Sequence, residues 1–207
     1  LRHGHLFLRG MRTTELIDQL DATLEGQLHR ARAVRQLPAE ALLYRPVPEK
    51  WNALEIFEHM CLSSGIYLRG LERVFDERAE SLRINPEFNP GPLGGYFTRS
   101  MLPGPDGTIS NRMKTLRMFD PPRNSGASQE SIDKFIDLCE RFRKLLVRAR
   151  RTDLNRMRVT SSLGPIVRFK AGDAFRFPIA HQQRHFLQLE RALSAAPGPA
   201  QRTTTSR

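Results

Sequence analysis

Four stretches of this chain repeat apolar residues at the 3.6-residue spacing of a helix, and a long segment that breaks any regular element separates the second from the third. Leu16, Ile17, Leu20, Leu24, Leu28 and Ala31 predict a first helix from about 14 to 36, with Thr13 and Thr14 as N-terminal caps. Pro38, Pro46 and Pro48 end it. A second helix starts at Asn52, where Asn52 and Glu55 have capping-box spacing, and Phe57, Met60, Ser64, Tyr67, Leu71 and Phe75 carry it to about 82. The cleanest stripe, Ile132, Phe135, Ile136, Cys139, Phe142, Leu146 and Ala149, predicts a third from about 128 to 151. The fourth follows Gly172 with Asp173 as N-cap and runs through Phe177, His181, His185, Gln188 and Ala192 to about 195, with Pro178 bending it or delaying its start.

Between the second and third helices, residues 83–127 interleave prolines with Gly91, Gly94, Gly95, Gly104 and Gly107, leaving room for little more than a short helix over Tyr96–Met101. This segment reads as a long crossover loop. The stretch from Arg156 to Lys170 suggests a short irregular hairpin. Each apolar stripe needs a partner, so the expected fold is all-α, a four-helix bundle with the Pro/Gly-rich crossover between helices 2 and 3. The 207 residues suffice for one core, and the hydrophobic fraction of 39% is in the globular range. Residues 1–11 read as disordered or as an extension, with Met11 a candidate start and His3 and His5 poor functional candidates. Residues 12–195 form the domain, and 196–207, rich in Pro, Gly, Thr and Arg, form a disordered tail.

Composition narrows the function classes. No apolar run approaches the ~20 residues of a membrane span, and the first residues lack the apolar centre of a signal peptide. Cys61 and Cys139, both at apolar helical positions, cannot make a disulfide framework, so a reduced cytoplasmic protein is expected. The net charge of +11 is mostly arginine spread along the chain, and Arg148, Arg150 and Arg151 stand where a helix ends and complement its dipole. A basic nucleic-acid-binding module stays as a rival without a binding motif, and specific nucleic-acid recognition is not expected.

The chemistry-bearing residues are histidines. His181 and His185, at i and i+4, present two imidazoles on one helical face, the spacing that lets both reach one ion. His59 shares a face with Ile56, Ser63 and Ile66, pointing it toward the bundle interior. Three imidazoles leave a coordination position for water or a thiol, and the donor set suits zinc, nickel, copper or ferrous iron. Spacing alone leaves the bland alternative open, a pair with one ring exposed and a lone packed histidine. Among the neighbours, Glu55 reads as a capping residue and Glu58 as solvated; Arg184 reads as surface, Asp173 as a cap or a histidine-orienting group, and Gln188 as bonding the site or packing. Tyr44, Tyr67 and Tyr96 are candidate proton donors, with Tyr67 read as core.

WNALEIFEHM, with Trp51, Asn52, Glu55 and His59, together with the later HQQRHFLQLERAL, with His181, His185 and Gln188, resembles the DinB superfamily, including its YfiT-like members. The similarity spans 12–195, takes in YRPVPEKW and the GD before the last helix, and departs conservatively at the asparagine after the tryptophan, where serine is commoner. The resemblance implies an up-down-down-up bundle holding a divalent ion, zinc or nickel, on His59, His181 and His185. Some members are similar to thiol transferases and isomerases that use bacillithiol, mycothiol or glutathione, and many have no assigned reaction. Joined to the open coordination position, this gives the expectation of a metal-dependent thiol transferase or hydrolase acting on a small molecule, with a low-molecular-weight thiol as cosubstrate. A noncatalytic metal-binding stress-response protein with the same triad is the alternative, and exposed helix faces allow a homodimer.

Overall fold

In the computed structural model the described residues are 10–104, 106–109, 114–121, 127–164 and 166–196. They are mostly helical: α1 Thr13–Arg35, α2 Ala39–Leu43, α3 Ala53–Arg78, α4 Pro92–Met101, α5 Glu130–Ala149 and α6 Ala171–Ser194. Four two- or three-residue strands pair antiparallel, β1 Met11–Arg12 with β2 Glu87–Phe88, and β3 Arg158–Thr160 with β4 Arg168–Lys170. The second pair is the hairpin expected over 156–170; the first was not foreseen. Of the expected terminal segments 1–11 and 196–207, residues 1–9 and 197–207 lie outside the described residues, while Met11 is paired with Phe88 in β1.

The apolar stripes close on one another. α3 packs on α5 and α6, α1 on the same two, and α4 lies along α6. Ile17, Leu24, Phe57, Leu71, Phe135, Phe142, Phe175 and Phe186 are all buried in one continuous core. At its centre Phe57, Phe135 and Phe186 meet edge to face, the arrangement the ring quadrupoles favour. No helix among the described residues is long and apolar enough to cross a membrane.

Much of the arginine excess is spent between helices. Arg32 and Arg35 reach Glu140 and Asp133 from α1 to α5, Arg143 reaches back to Asp21, and Arg141 joins Glu72 across α3 and α5. Arg148 and Arg150, expected to act on the helix dipole, also bond Asp76 and Asp18. Most of these pairs are solvent-exposed, so they add little to stability and serve mainly to fix which faces meet.

Helix termini differ instructively from expectation. The Asn52–Glu55 capping box forms in full, the Asn52 side chain accepting from the Glu55 amide and the Glu55 carboxylate from the Asn52 amide, both at 2.9 Å. Arg45 then grips the same carboxylate with two nitrogens, at 2.6 and 2.8 Å. Thr13 does not cap α1: its hydroxyl donates to the Asn85 carbonyl at 2.7 Å, tying α1 to the segment after α3.

Asp173 is not an N-cap either. It lies inside α6, fully buried, accepting from the Gly91 amide at 2.7 Å and from Arg176 at 3.0 Å. The carboxylate is a clamp holding the start of α4 against α6, and Gly94 permits the approach, since a Cβ there would stand 2.5 Å from Asp173 Cγ. Gly172 does the same for the Phe88 ring, which a Cβ would overlap. The GD pair is thus a packing device. Glu58, expected to be solvated, is buried on the α5 side and accepts from the Ser131 hydroxyl at 2.6 Å.

Candidate metal centre

The site sits where α3, α6 and the loop before α5 converge. The capping box starts α3 one residue after Trp51 and so fixes where His59 faces two turns later. α6 runs through Pro178, whose missing N–H leaves the Ala174 carbonyl without its helical donor, and continues unbroken to place His181 and His185 a turn apart. The outcome is convergence. Ligand nitrogens of His59, His181 and His185 all lie within 4.8 Å of one another. Ring centroids are 4.5 Å apart for His59 and His185, 5.2 Å for His59 and His181, and 4.4 Å for the helical pair.

Two rings are oriented by acceptors that fix their tautomers. A carbonyl can only accept, so the 2.8 Å contact between His59 Nδ1 and the Phe119 carbonyl places the proton on Nδ1 and leaves Nε2 with a lone pair. His185 Nδ1 donates to Gln188 Oε1 at 3.0 Å, with the same result for its Nε2. His185 Nε2 and His181 Nε2 then face each other at 3.0 Å. Outer partners that orient imidazoles in this way accompany metal ligation.

The environment keeps the rings neutral. Burial pushes His59 below its usual pKa, opposed by the Phe119 bond and the charge of Asp120. His181 is pushed down to about 3, chiefly by burial and then by His59 and Arg184, and His185 well below its usual value by burial and by the other two imidazoles. Neutral imidazole is the ligating form, so three neutral nitrogens with partly fixed lone pairs fit a divalent ion.

A cavity of about 830 Å³ opens over the triad. Trp51 forms one wall, its ring 4.7 Å from His59 and 6.2 Å from His185, and Phe177 stacks beside His181. Met101, Thr108, Leu116 and Phe119 from the 83–127 segment close another side. Tyr67 lines the cavity although it is almost wholly buried. Its hydroxyl is bonded to Ser161 and Ser162 of the β3–β4 hairpin, at 2.8 and 3.0 Å, and burial raises its pKa, so it holds its proton.

Of the other residues the sequence singled out, Gln188 bonds the site through His185, whereas Tyr44 and the exposed Tyr96 do not line the cavity. Arg184 is not a detached surface group. It lines the cavity, and the spacing could have shown this, because three residues after His181 is a rotation of only about 60° from that ring. The Phe119 carbonyl carried no sequence signal, being a main-chain group 60 positions from its partner. Cys139 is buried and Cys61 half-buried, burial raises both thiols, and neither lines the cavity. Any thiol reacting here comes from a ligand.

A model of the DinB superfamily matches residues 15–189, a span that includes His59, His181, His185 and all four long helices in whole or large part. No curated protein and no solved structure matches the chain.

Proposed function

The chain belongs to the DinB superfamily, and from that premise we propose that it is a metal-dependent enzyme of the thiol-transferase or hydrolase type, with a divalent ion, zinc or nickel, held by His59, His181 and His185. The observation that carries the reading is the convergence of three imidazole nitrogens within 4.8 Å, two of them oriented by Phe119 and Gln188, at the floor of a cavity large enough for a small substrate. We read α1, α3, α5 and α6 as an up-down-down-up bundle within a domain of residues 12–195, the 83–127 segment crossing between α3 and α5. Support comes from the packing of α1 and α3 each against both α5 and α6.

A divalent ion bound there would supply Lewis acidity, enough to bring a coordinated water to a pKa of about 7 or to favour a thiol as thiolate. The chain supplies the rest. Phe119 and Gln188 hold protons on the outward nitrogens of His59 and His185, Trp51 and Phe177 shield the rings from bulk water, and Tyr67 keeps a proton on Oη at the cavity wall.

Metal analysis of the purified full chain against a His181→Ala, His185→Ala variant tests the site. One equivalent is expected in the parent and a large loss in the variant; equal content in both would refute the triad. Turnover of an electrophile or a hydrolysable ester by the loaded parent is the further expectation, and a saturated but inert protein would favour the noncatalytic metal-binding reading.

A further inference from the structure

The charges lining the cavity are lopsided. Lys50, Lys114, Arg184 and Arg191 line it, and Glu49 is the one carboxylate among the described lining residues. Elsewhere the arginines of α1 and α5 meet carboxylates across helix interfaces. Here Arg191 instead donates to the Gly107 carbonyl at 3.0 Å, and Lys50 and Lys114 form no ion pair among the described residues. Cations in a concave pocket with apolar walls focus a positive potential into it and raise the local concentration of anions.

Their placement is graded along α6. Arg184 is close to the imidazoles, and Arg191 is two turns farther, about 10 Å along the axis, on the same side as Gln188. Lys50 adjoins Trp51 in sequence, and Lys114 comes from the segment before Phe119. A ligand reaching from the triad toward the mouth therefore meets positive charge along its length.

We infer that the cavity takes a small ligand bearing an oxyanionic group, carboxylate or phosphate, which Lys50, Lys114, Arg184 and Arg191 bind while the opposite end lies against the three imidazoles. The position of that reactive end rests on the metal-site reading; the recognition of the anion does not. Guanidinium groups suit oxyanions by forked donation, and the lysines act as mobile point charges at the mouth. A neutral ligand of equal size gains none of this.

Calorimetry on the full chain tests the idea with four probes. To the zinc-loaded protein, mercaptosuccinate is expected to bind at least about tenfold more tightly than 2-mercaptoethanol, with the preference shrinking as salt is raised. The Lys50→Gln, Lys114→Gln variant, at exposed positions outside the core, should lose most of that preference at unchanged metal content, and Arg184→Gln should lose it further. Equal affinity for the two thiols, or a preference that survives both variants, would overturn the inference. Succinate and inorganic phosphate are titrated into metal-free protein. Saturable binding weakened by the lysine variant supports anion recognition even where no metal is retained, and the tighter of the two identifies the oxyanion. No binding of either overturns it whatever the metal content.

Discussion

Nε2 of His181 and Nε2 of His185 face each other at 3.0 Å. The His185 nitrogen is an acceptor because its Nδ1 proton is committed to Gln188, and the His59 Nε2 is an acceptor for the parallel reason at Phe119. His181 can then donate to its neighbour or turn its own lone pair inward beside the other two. Three lone pairs directed at a common point repel one another unless a cation stands among them, and the outer hydrogen bonds make that arrangement cheap to reach.

Gln188 is therefore a positioning residue. Gln188→Leu removes the acceptor that selects the His185 tautomer and should weaken zinc or nickel binding by about 10–100-fold, read by competition with a chromogenic chelator. Gln188→Glu keeps an acceptor and should retain affinity near the parent's. Parent-like affinity in the leucine variant would show that the tautomer is set some other way.

Trp51 is the chain's one tryptophan, and its ring lies 4.7 Å from that of His59. Adding one equivalent of a paramagnetic ion such as nickel or cobalt to the metal-free protein should quench its emission stoichiometrically, whereas zinc should shift the spectrum with little quenching. The quenching should vanish in His59→Ala and His181→Ala. If it persists in both, the ion is binding somewhere other than the triad.

The helices and the histidine pair were legible because both are written in local period: stripes at 3.6 residues, a capping box at three, an imidazole pair at four. Spacing alone left His59 open, and the family resemblance joined it to the pair. What sequence could not convey is long-range and carried by main chain or by shape. The Phe119 carbonyl has no residue code, and the acidity of Asp173 suggested a cap until its burial against Gly91 made it a clamp. Glu58 looked solvated because nothing in α3 announces that Ser131 of α5 lies opposite it. Arg184, read as surface, lines the cavity because it stands only about 60° around the helix from His181.

Two glycines on helices should respond oppositely to alanine. At Gly172 a Cβ would overlap the buried Phe88 ring, so Gly172→Ala should destabilise by about 1–3 kcal/mol through overpacking and disturb the β1–β2 contact. Gly26 in the exposed interior of α1 has nothing within 4 Å of its Cβ position, and Gly26→Ala should stabilise by about 0.5–1 kcal/mol. Urea midpoints at matched m-values measure both. A neutral Gly172→Ala would mean that β2 can yield without cost.

The metal-free protein should lose stability in mild acid through its histidines. A folded imidazole with lowered pKa binds a proton less readily than the unfolded one, which titrates near about 6.5. Its contribution is thus complete above that value and is lost as pH falls toward the folded value, about 3 for His181. His59 and His185 shift in the same direction, so all three act in one window. Each steepens the fall by at most about 1.4 kcal/mol per pH unit. Asp21, held down by Arg143, also loses stabilisation as pH falls, but below its ordinary 3.8. Asp173, raised chiefly by burial, gains stabilisation on acidification and opposes the imidazoles, so the difference between parent and a histidine variant isolates the imidazole share. Urea midpoints at about pH 7, 5.5 and 4.5, with chelator present, should fall less steeply in His181→Gln than in the parent. Parallel lines for the two proteins would mean that His181 titrates normally and that burial does not hold it neutral.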